Sequence, residues 1–545
     1  MKMKEKMLNS EYEKNSPSSF PVENYPLMVE EQKQLLCSMA ETIKPQKELP
    51  HIQVIPGKLH LAIDAAEKLL QDSPGIFQMG RQLVRIVIET AKPKKSDGLI
   101  ISRSGDALTI IGIDTIHLAE VLGKLASWTR FDERTQQWKE RDCPDKIART
   151  FLARQQWKLP VLAGVIQAPT LRADGSILQK SGYDEETGLF YDPGQTVFPL
   201  IPLSPSHQEA IEAKDRLFSL LSDFPFEDEE SKAVVLSGIL TSLVRKSIRT
   251  APLHGFTAPK MGSGKSLLAD VIGLIAMGKI NCVVSQADGE AEEEKKLLTV
   301  LSAGDTVICY DNIERPFGCA TLCSVLSQEF FKGRLLGTNK HLNVPTNATF
   351  LATGNNLTFV GDISTRAILC RLNPHCERPE ERLFAVNLYE YIPQNRGFLV
   401  KDALTILRAY HVAGRPKQEV LPFGRFEEWS DFIRSALIWV GMEDACKSRK
   451  EIENADPIRL SLGALLTAWF AAFDNLPVKV KAVVNSPIET LQEALLEFAP
   501  DGRGGINEIS LGRKLQKYNK RIEAGFQLER MYDHQGTATW RVVKI

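Results

Sequence analysis

The sequence has no long hydrophobic run and no excess of charge of either sign. Its longest apolar stretch, Ala233 to Val244, is too short to cross a bilayer and is followed by Arg245 and Lys246. The 67 basic and 68 acidic side chains leave a formal net charge of −1, so a nucleic-acid-binding surface has to be a local patch. The amino-terminal stretch also lacks the apolar core of a signal peptide. We therefore expect a soluble, cytoplasmic protein with no membrane partner.

Cysteine is scarce as well, with nine in 545 residues, and its spacing excludes the common zinc frameworks. Cys319 and Cys323 share one face of a predicted helix, and Cys370 and Cys376 flank the end of a predicted strand. Neither pair has Cys-x-x-Cys spacing or matching histidines, so we interpret these thiols as packing groups. Residues 1–205 have neither a zinc ribbon nor the paired aspartates of a primase, and we do not predict primer synthesis.

The length of the chain suggests about three or four domains, and its pattern divides it into five segments. These are a flexible polar tail (1–55), a mixed α/β domain without an assigned role (56–205), an α/β core (206–415), a helical domain (416–480) and a winged-helix-like carboxyl-terminal domain (481–545). In the core, short apolar strands such as TVICYD and ATFLATG alternate with amphipathic helices. This alternation predicts a parallel sheet with flanking helices.

The stretch TAPKMGSGKSLL, Thr257 to Leu268, joins a predicted strand to a predicted helix and ends in Gly-Lys-Ser. Such a loop wraps backbone N–H groups around phosphates, and its Lys and hydroxyl reach the outer phosphates and Mg²⁺. Position 259, where the usual motif has its first glycine, is proline. A glycine turn before an ordinary helix is the alternative. The residues predicted to bind the nucleotide are Pro259, Gly262, Ser263, Gly264, Lys265, Ser266 and Leu267.

Polar residues at two later strand ends support the nucleotide interpretation. Asp311 ends the apolar strand TVICYD, where a Mg²⁺ ligand is expected, although Asn312 follows it in place of the usual second carboxylate. Glu314 is the candidate substitute base. Asn355 ends the strand ATFLATG, where an amide can orient the attacking water, although a structural Asx turn explains it equally well.

The elements APKMGSGKS, VICYDN, FLATGNN and DISTRAILCRL, in this order, resemble an AAA+ P-loop NTPase module. More narrowly, they resemble superfamily 3-type helicases and the primase-helicase ATPases of phages and integrating mobile elements. The resemblance implies a ring, usually a hexamer, with ATP and Mg²⁺ bound between subunits. It implies that Ser266 and Asp311 bind Mg²⁺, that Asn355 is a sensor, and that Arg366 acts in trans on the neighbouring site. A surface salt bridge is the alternative for Arg366.

The same resemblance bears on DNA. GRLLGTNKHLNVP, Gly333 to Pro345, reads as two short strands around a basic tip, where this type of helicase has a pore hairpin. Lys340 and His341 are therefore expected to hold the backbone of a single strand, with an exposed polar turn as the alternative.

The last segment carries a local positive charge. Ser486, Pro487 and Glu489 predict a capped helix start, and a second helix precedes a hairpin that turns near Gln535 and Gly536. Residues 510–545 contain eight Lys and Arg against three Asp and Glu. We expect this domain to bind duplex DNA, although a solvated helix face fits the same charges. The predicted contacts are Arg513, Lys514, Lys517, Lys520 and Arg521.

Together these features predict an ATP-dependent, ring-forming DNA helicase or translocase that acts in replication of a phage or mobile element, beside a separate primase or polymerase. Two alternatives stay open: an AAA+ ATPase that loads or remodels a partner without unwinding, and a DNA-binding scaffold that keeps ATP as a structural ligand.

Overall fold

The computed structural model describes residues 49–89, 101–103, 105, 107–334, 341–382, 384–501 and 505–545. These residues form two compact units. The first contains the described residues up to Asp72 together with Asp114–Arg154, and the second contains Ser73–Ile113 and Gln155–Ile545. No helix in the described part of the chain is both long enough and apolar enough to span a bilayer.

The strands and helices follow one another in mixed order along the chain. The strands are β1 (His51–Val54), β2 (Ile76–Met79), β3 (Gln82–Glu89), β4 (Ile101–Ser102), β5 (Ala107–Gly112), β6 (Ser127–Asp132), β7 (Gln137–Arg141), β8 (Gly164–Ile166), β9 (Thr170–Leu171), β10 (Ile177–Leu178), β11 (Gly182–Asp184), β12 (Leu189–Tyr191), β13 (Leu253–Ala258), β14 (Cys282–Val284), β15 (Val307–Ile313), β16 (Phe330–Arg334), β17 (His341–Pro345), β18 (Thr349–Asn355), β19 (Ala367–Arg371), β20 (Ile522–Glu523), β21 (Phe526–Tyr532) and β22 (Ala538–Lys544). The α-helices are α1 (Leu59–Gln71), α2 (Thr115–Leu125), α3 (Asp145–Ala153), α4 (His207–Ser219), α5 (Glu229–Val244), α6 (Lys265–Met277), α7 (Glu290–Ala303), α8 (Ala320–Ser327), α9 (Leu388–Val412), α10 (Glu427–Trp429), α11 (Ser435–Trp439), α12 (Ser448–Asn454), α13 (Pro457–Phe473), α14 (Val480–Val484), α15 (Glu489–Phe498) and α16 (Glu508–Lys517).

The largest sheet has the strand order β19-β13-β18-β15-β14-β4. The first five strands are parallel, and β4 pairs antiparallel with β14. All six residues of β13 are buried, as expected for a strand covered on both faces. The prediction of an α/β core with a parallel sheet is thus confirmed. Because the carboxyl ends of parallel strands lie at one edge, β13, β18 and β15 end next to each other.

The first unit is a three-stranded sheet with helices. β1 pairs parallel with β6, and β7 pairs antiparallel with β6. The fully buried Trp128 on β6 donates from its indole nitrogen to the carbonyl oxygen of Leu122, 2.9 Å away. The predicted tail of residues 1–55 therefore includes a strand, because Ile52 on β1 pairs with Trp128.

The predicted domain of residues 56–205 is divided between the two units. Within the second unit, β4 extends the largest sheet, and Thr170 donates a hydrogen bond to the carbonyl oxygen of Leu243 at 2.8 Å. Arg396 in α9 donates to the carbonyl oxygen of Gln167 at 2.8 Å. These contacts join widely separated parts of the sequence, so composition along the chain does not reveal them.

The carboxyl-terminal part of the second unit has its own hydrophobic core around Trp469, Leu495 and Leu515. β21 and β22 pair antiparallel from Phe526 to Lys544, and the turn between them contains Gly536 with φ of +75°. The helix predicted to start at Ser486 starts later. α15 begins at Glu489, its N-cap position is Ile488, and no side chain caps it. Ser486 instead accepts a hydrogen bond from the backbone N–H of Ile488 at 3.4 Å.

Candidate functional site

The loop between β13 and α6 depends on two glycines in the left-handed region. Gly262 has φ of +74° and Gly264, directly before α6, has φ of +98°. A Cβ atom at Gly262 would lie 2.9 Å from the backbone nitrogen of Glu380, so this position has no room for a side chain. Ser263 is buried and donates to the carbonyl oxygen of Lys260 at 2.8 Å, and Leu267 packs against the main core. The loop leads into the amino terminus of a helix, which favours anions.

Lys265 joins this loop to β18. Its Nζ donates to Oδ1 of Asn355 at 2.7 Å and to the carbonyl oxygen of Lys260 at 3.0 Å. The side chain is mostly buried, and burial lowers the pKa of Lys265 while the charge of Asp311 opposes that shift. The ammonium group is thus held among oxygen acceptors at the carboxyl edge of the sheet.

Ser266 joins the loop to β15, because its hydroxyl donates to Oδ1 of Asp311 at 2.9 Å. Thr353 on β18 donates to the same oxygen at 2.5 Å and accepts from the backbone N–H of Asn312 at 3.1 Å. Thr353 is not among the site residues predicted from the sequence. Its position two residues before Asn355 was the available signal, since alternate residues of a strand share a face.

The pairing of β15 with β18 is irregular between Tyr310 and Ile313, where β15 has one extra residue. Asn312 lies in this bulge with φ of +54°. Its side-chain amide donates to Oε1 of the exposed Glu314 at 3.0 Å. The residue directly after Asp311 thus gives the carboxylate of Glu314 a hydrogen-bond donor.

This donor set suits Mg²⁺, which prefers oxygen ligands, keeps several waters and is usually bound through one or two carboxylates. The side chains of Ser266 and Asp311 supply two such oxygens in direct contact. Within the described ranges, no group of three or more His, Cys, Asp or Glu side chains could hold a metal ion. A cation here would thus depend on waters and on phosphates for its remaining ligands.

The structure does not bring Arg366 to this edge. Arg366 directly precedes the amino-terminal end of β19, where Ala367 pairs with Leu253. The carboxyl-terminal end of β19, where Arg371 pairs with Thr257, is the end that lies beside the loop. The Arg366 side chain donates to the hydroxyl of Ser327 at 3.0 Å. Its predicted role therefore needs a second copy of the chain.

The two predicted DNA-binding regions differ in how far the structure describes them. β16 and β17 pair antiparallel, and Arg334 lies opposite His341. Lys340 lies outside the described residues. In the last segment Arg513, Lys517 and Lys520 are exposed.

The other two basic residues of that segment have partners inside the chain. Lys514 donates to the carbonyl oxygen of Phe498, and its Nζ lies 4.5 Å from the centre of the Phe498 ring. Arg521 forms an ion pair with Glu523 at 3.2 Å. These two side chains are thus less available to phosphates than the sequence alone indicates.

Comparisons with known proteins give distant likenesses. No protein-family model and no curated protein matches the chain. The C-terminal region of NrS-1 is 13% identical, with 85% of this chain and 96% of that chain covered and a TM-score of 0.38. The SCCmec type IV Cch protein, described as an active helicase, is 14% identical. The match covers 72% of this chain and 78% of that chain, with a TM-score of 0.30. The JCV helicase is 12% identical, with 46% and 73% covered and a TM-score of 0.21. At these low identities and scores, no residue assignment rests on the likeness.

Proposed function

We propose that the chain is an ATP-dependent DNA helicase or translocase with an AAA+ core, acting as a ring in the replication of a phage or mobile element. The observation that carries this proposal is the meeting of three strand ends. Lys265 contacts Asn355, and Ser266 contacts Asp311, at the carboxyl edge of the parallel sheet. A loop with two left-handed glycines stands in front of these groups.

In this proposal Lys265 exchanges its contacts with Asn355 and Lys260 for the outer phosphates of ATP. These two contacts hold the ammonium group at the carboxyl edge of the sheet, where the phosphates would bind. Ser266 and Asp311 would hold Mg²⁺, which neutralises charge that develops on the phosphates. Asn355, released from Lys265, is then free to orient the attacking water.

Glu314 is the proposed general base. Hydrolysis needs a carboxylate that can take a proton from the attacking water. Asn312 donates to one oxygen of Glu314 and thereby sets the direction of the carboxylate. The asparagine at the usual place of the acid thus acquires a positioning role, and the acid follows two residues later in the chain.

Assembly and DNA binding complete the proposal. Arg366 would stabilise the transferring phosphoryl group of a neighbouring subunit, consistent with its position away from its own loop. The β16–β17 hairpin would follow a single strand in the pore through Lys340 and His341. Helix α16 and the β21–β22 hairpin have the order of a winged helix, and their exposed Arg513, Lys517 and Lys520 would contact duplex phosphates.

The first test measures ATP hydrolysis with and without single-stranded DNA. We expect DNA to stimulate hydrolysis and Lys265→Ala to abolish it, while Lys260→Ala, a lysine of the same loop that is exposed, keeps most of it. A strand-displacement assay with tails of both polarities then measures unwinding. Hydrolysis that DNA does not affect would favour the remodelling ATPase, and ATP binding without hydrolysis would favour the scaffold.

A further inference from the structure

Asp270 is a second carboxylate beside the proposed nucleotide site. It lies in α6, four residues after Ser266, and residues at this spacing share one face of a helix. The side chain is partly buried, and its Oδ2 accepts a hydrogen bond from the hydroxyl of Tyr389, 2.7 Å away at the start of α9. Neither Asp270 nor Tyr389 belongs to the phosphate-loop motif.

The charge of Asp311 acts on the pKa values of Asp270 and Tyr389. Burial raises the pKa of Asp270, the hydrogen bond from Tyr389 opposes this, and the nearby charge of Asp311 raises it further. Burial also raises the pKa of Tyr389, together with its hydrogen bond to Asp270 and the charges of Asp270 and Asp311. Three groups from α6, β15 and α9 therefore form one cluster. A cation that interacts with both carboxylates would stabilise their charged forms.

The second oxygen of Asp270 has no hydrogen-bond partner within the described part of the chain. Among the described residues, only Tyr389 donates to this side chain, and it uses Oδ2. Four residues of helix correspond to a rise of about 6 Å, or about one turn, and helical side chains lean toward the amino terminus, so Asp270 leans toward the turn that carries Ser266. One oxygen of Asp270 is thus available to a further hydrogen-bond donor on the face of α6 that carries Ser266.

We propose that Asp270 positions the Mg²⁺ of this site by accepting a hydrogen bond from a metal-bound water, and that Tyr389 fixes the carboxylate for this task. This inference rests on the proposed function. It adds a carboxylate from the loop helix and a hydroxyl from α9 to the residues that hold the cation. Mutation of a residue that contacts the ligands of a metal, and not the metal itself, typically lowers metal affinity by about 10- to 100-fold.

The test is the binding of a fluorescent ADP analogue, measured with excess EDTA and over a series of Mg²⁺ concentrations. For Asp270→Asn, which keeps the shape and removes the charge, we expect unchanged binding in EDTA. The Mg²⁺ concentration for half-maximal enhancement is expected to rise by about 10-fold or more. Tyr389→Phe should raise this Mg²⁺ concentration too, but by a smaller factor. Asp215→Asn, an exposed aspartate of α4, is the matched control and should leave the curve unchanged.

The outcomes separate the two proposals. Coincident Mg²⁺ curves for Asp270→Asn and the unaltered protein would overturn the role of Asp270. So would an equal loss of binding in EDTA and in Mg²⁺, because a merely structural residue affects both. Failure of the nucleotide site itself would have a different signature: no binding by the unaltered protein in either condition, or Lys265→Ala binding as the unaltered protein does.

Discussion

His254, in the strand that leads to the phosphate loop, should make that strand sensitive to mild acid. The side chain is completely buried in β13, and its Nε2 lies 3.0 Å from the hydroxyl oxygen of Ser237. That hydroxyl donates to the carbonyl oxygen of Val234 at 2.8 Å, so its oxygen can accept a hydrogen bond from the tautomer protonated at Nε2. Burial lowers the pKa of His254 to about 3.

The direction of the effect follows from proton binding. An unfolded chain protonates this histidine with a pKa of about 6.5. Between that value and about 3, the unfolded chain holds a proton that the folded chain does not, so stability falls as pH falls through this range. From pH 7 to pH 5 the loss is about 2 kcal/mol, which corresponds to about a 30-fold change in the opening equilibrium.

Hydrogen exchange by mass spectrometry of a peptide covering β13, at pH 7 and pH 5, measures this change after correction for intrinsic exchange rates. Between pH 7 and pH 5, the protection factor of the β13 amides should fall in the unaltered protein by a factor about 30 times larger than in His254→Gln. Glutamine retains a hydrogen-bond donor at this position and does not titrate. Other titrating groups cancel in this comparison. An identical pH dependence in the two proteins would refute the reasoning.

Two further substitutions test other contacts. Arg245→Met should lower the melting temperature, because the buried guanidinium donates to the carbonyl oxygens of Ile248 and Thr346 at 2.7 and 2.9 Å. Each buried acceptor left unpaired costs about 1–3 kcal/mol of stability. An unchanged melting curve would contradict this expectation. Gly262→Ala should weaken binding of an ATP analogue, because its Cβ would lie 2.9 Å from the backbone of Glu380 and its φ is +74°. The control Gly289→Ala, where a Cβ meets nothing within 4 Å, should bind normally, and equal binding by both variants would count against the loop geometry.

The parallel core was predictable because its strands are buried on both faces. A strand such as β15 then appears in the sequence as a short apolar run, here Val307 to Tyr310, followed by the polar residues Asp311 and Asn312. Once the strands are parallel, their polar ends must share an edge, which explains why Lys265, Asp311 and Asn355 could be grouped from their places in the sequence. Their individual roles remain proposals.

Other features depend on contacts that a local pattern does not contain. Tyr389 reaches Asp270 from a distant helix, and Thr353 reaches Asp311 from a neighbouring strand. The start of α15 was predicted wrongly because Ser-Pro-x-Glu has the composition of a capping box, whereas the chain turns helical only at Glu489. The division of residues 56–205 between two units likewise depends on tertiary pairing.

The pairing of β4 with β14 has a consequence for synthesis on the ribosome. Ser102 emerges long before its partner Val283, and β15 and β18 emerge later still. The edge strand β4 therefore cannot pair until β14 and the other strands of the sheet have been translated. Its pairing with β14 closes a long loop of chain, which adds an entropic cost to this late step of folding. When β4 is paired, it covers the outer edge of β14. The exposed edge of the sheet on this side is then β4 itself, which is only two residues long, and so short an edge limits pairing with strands of other chains.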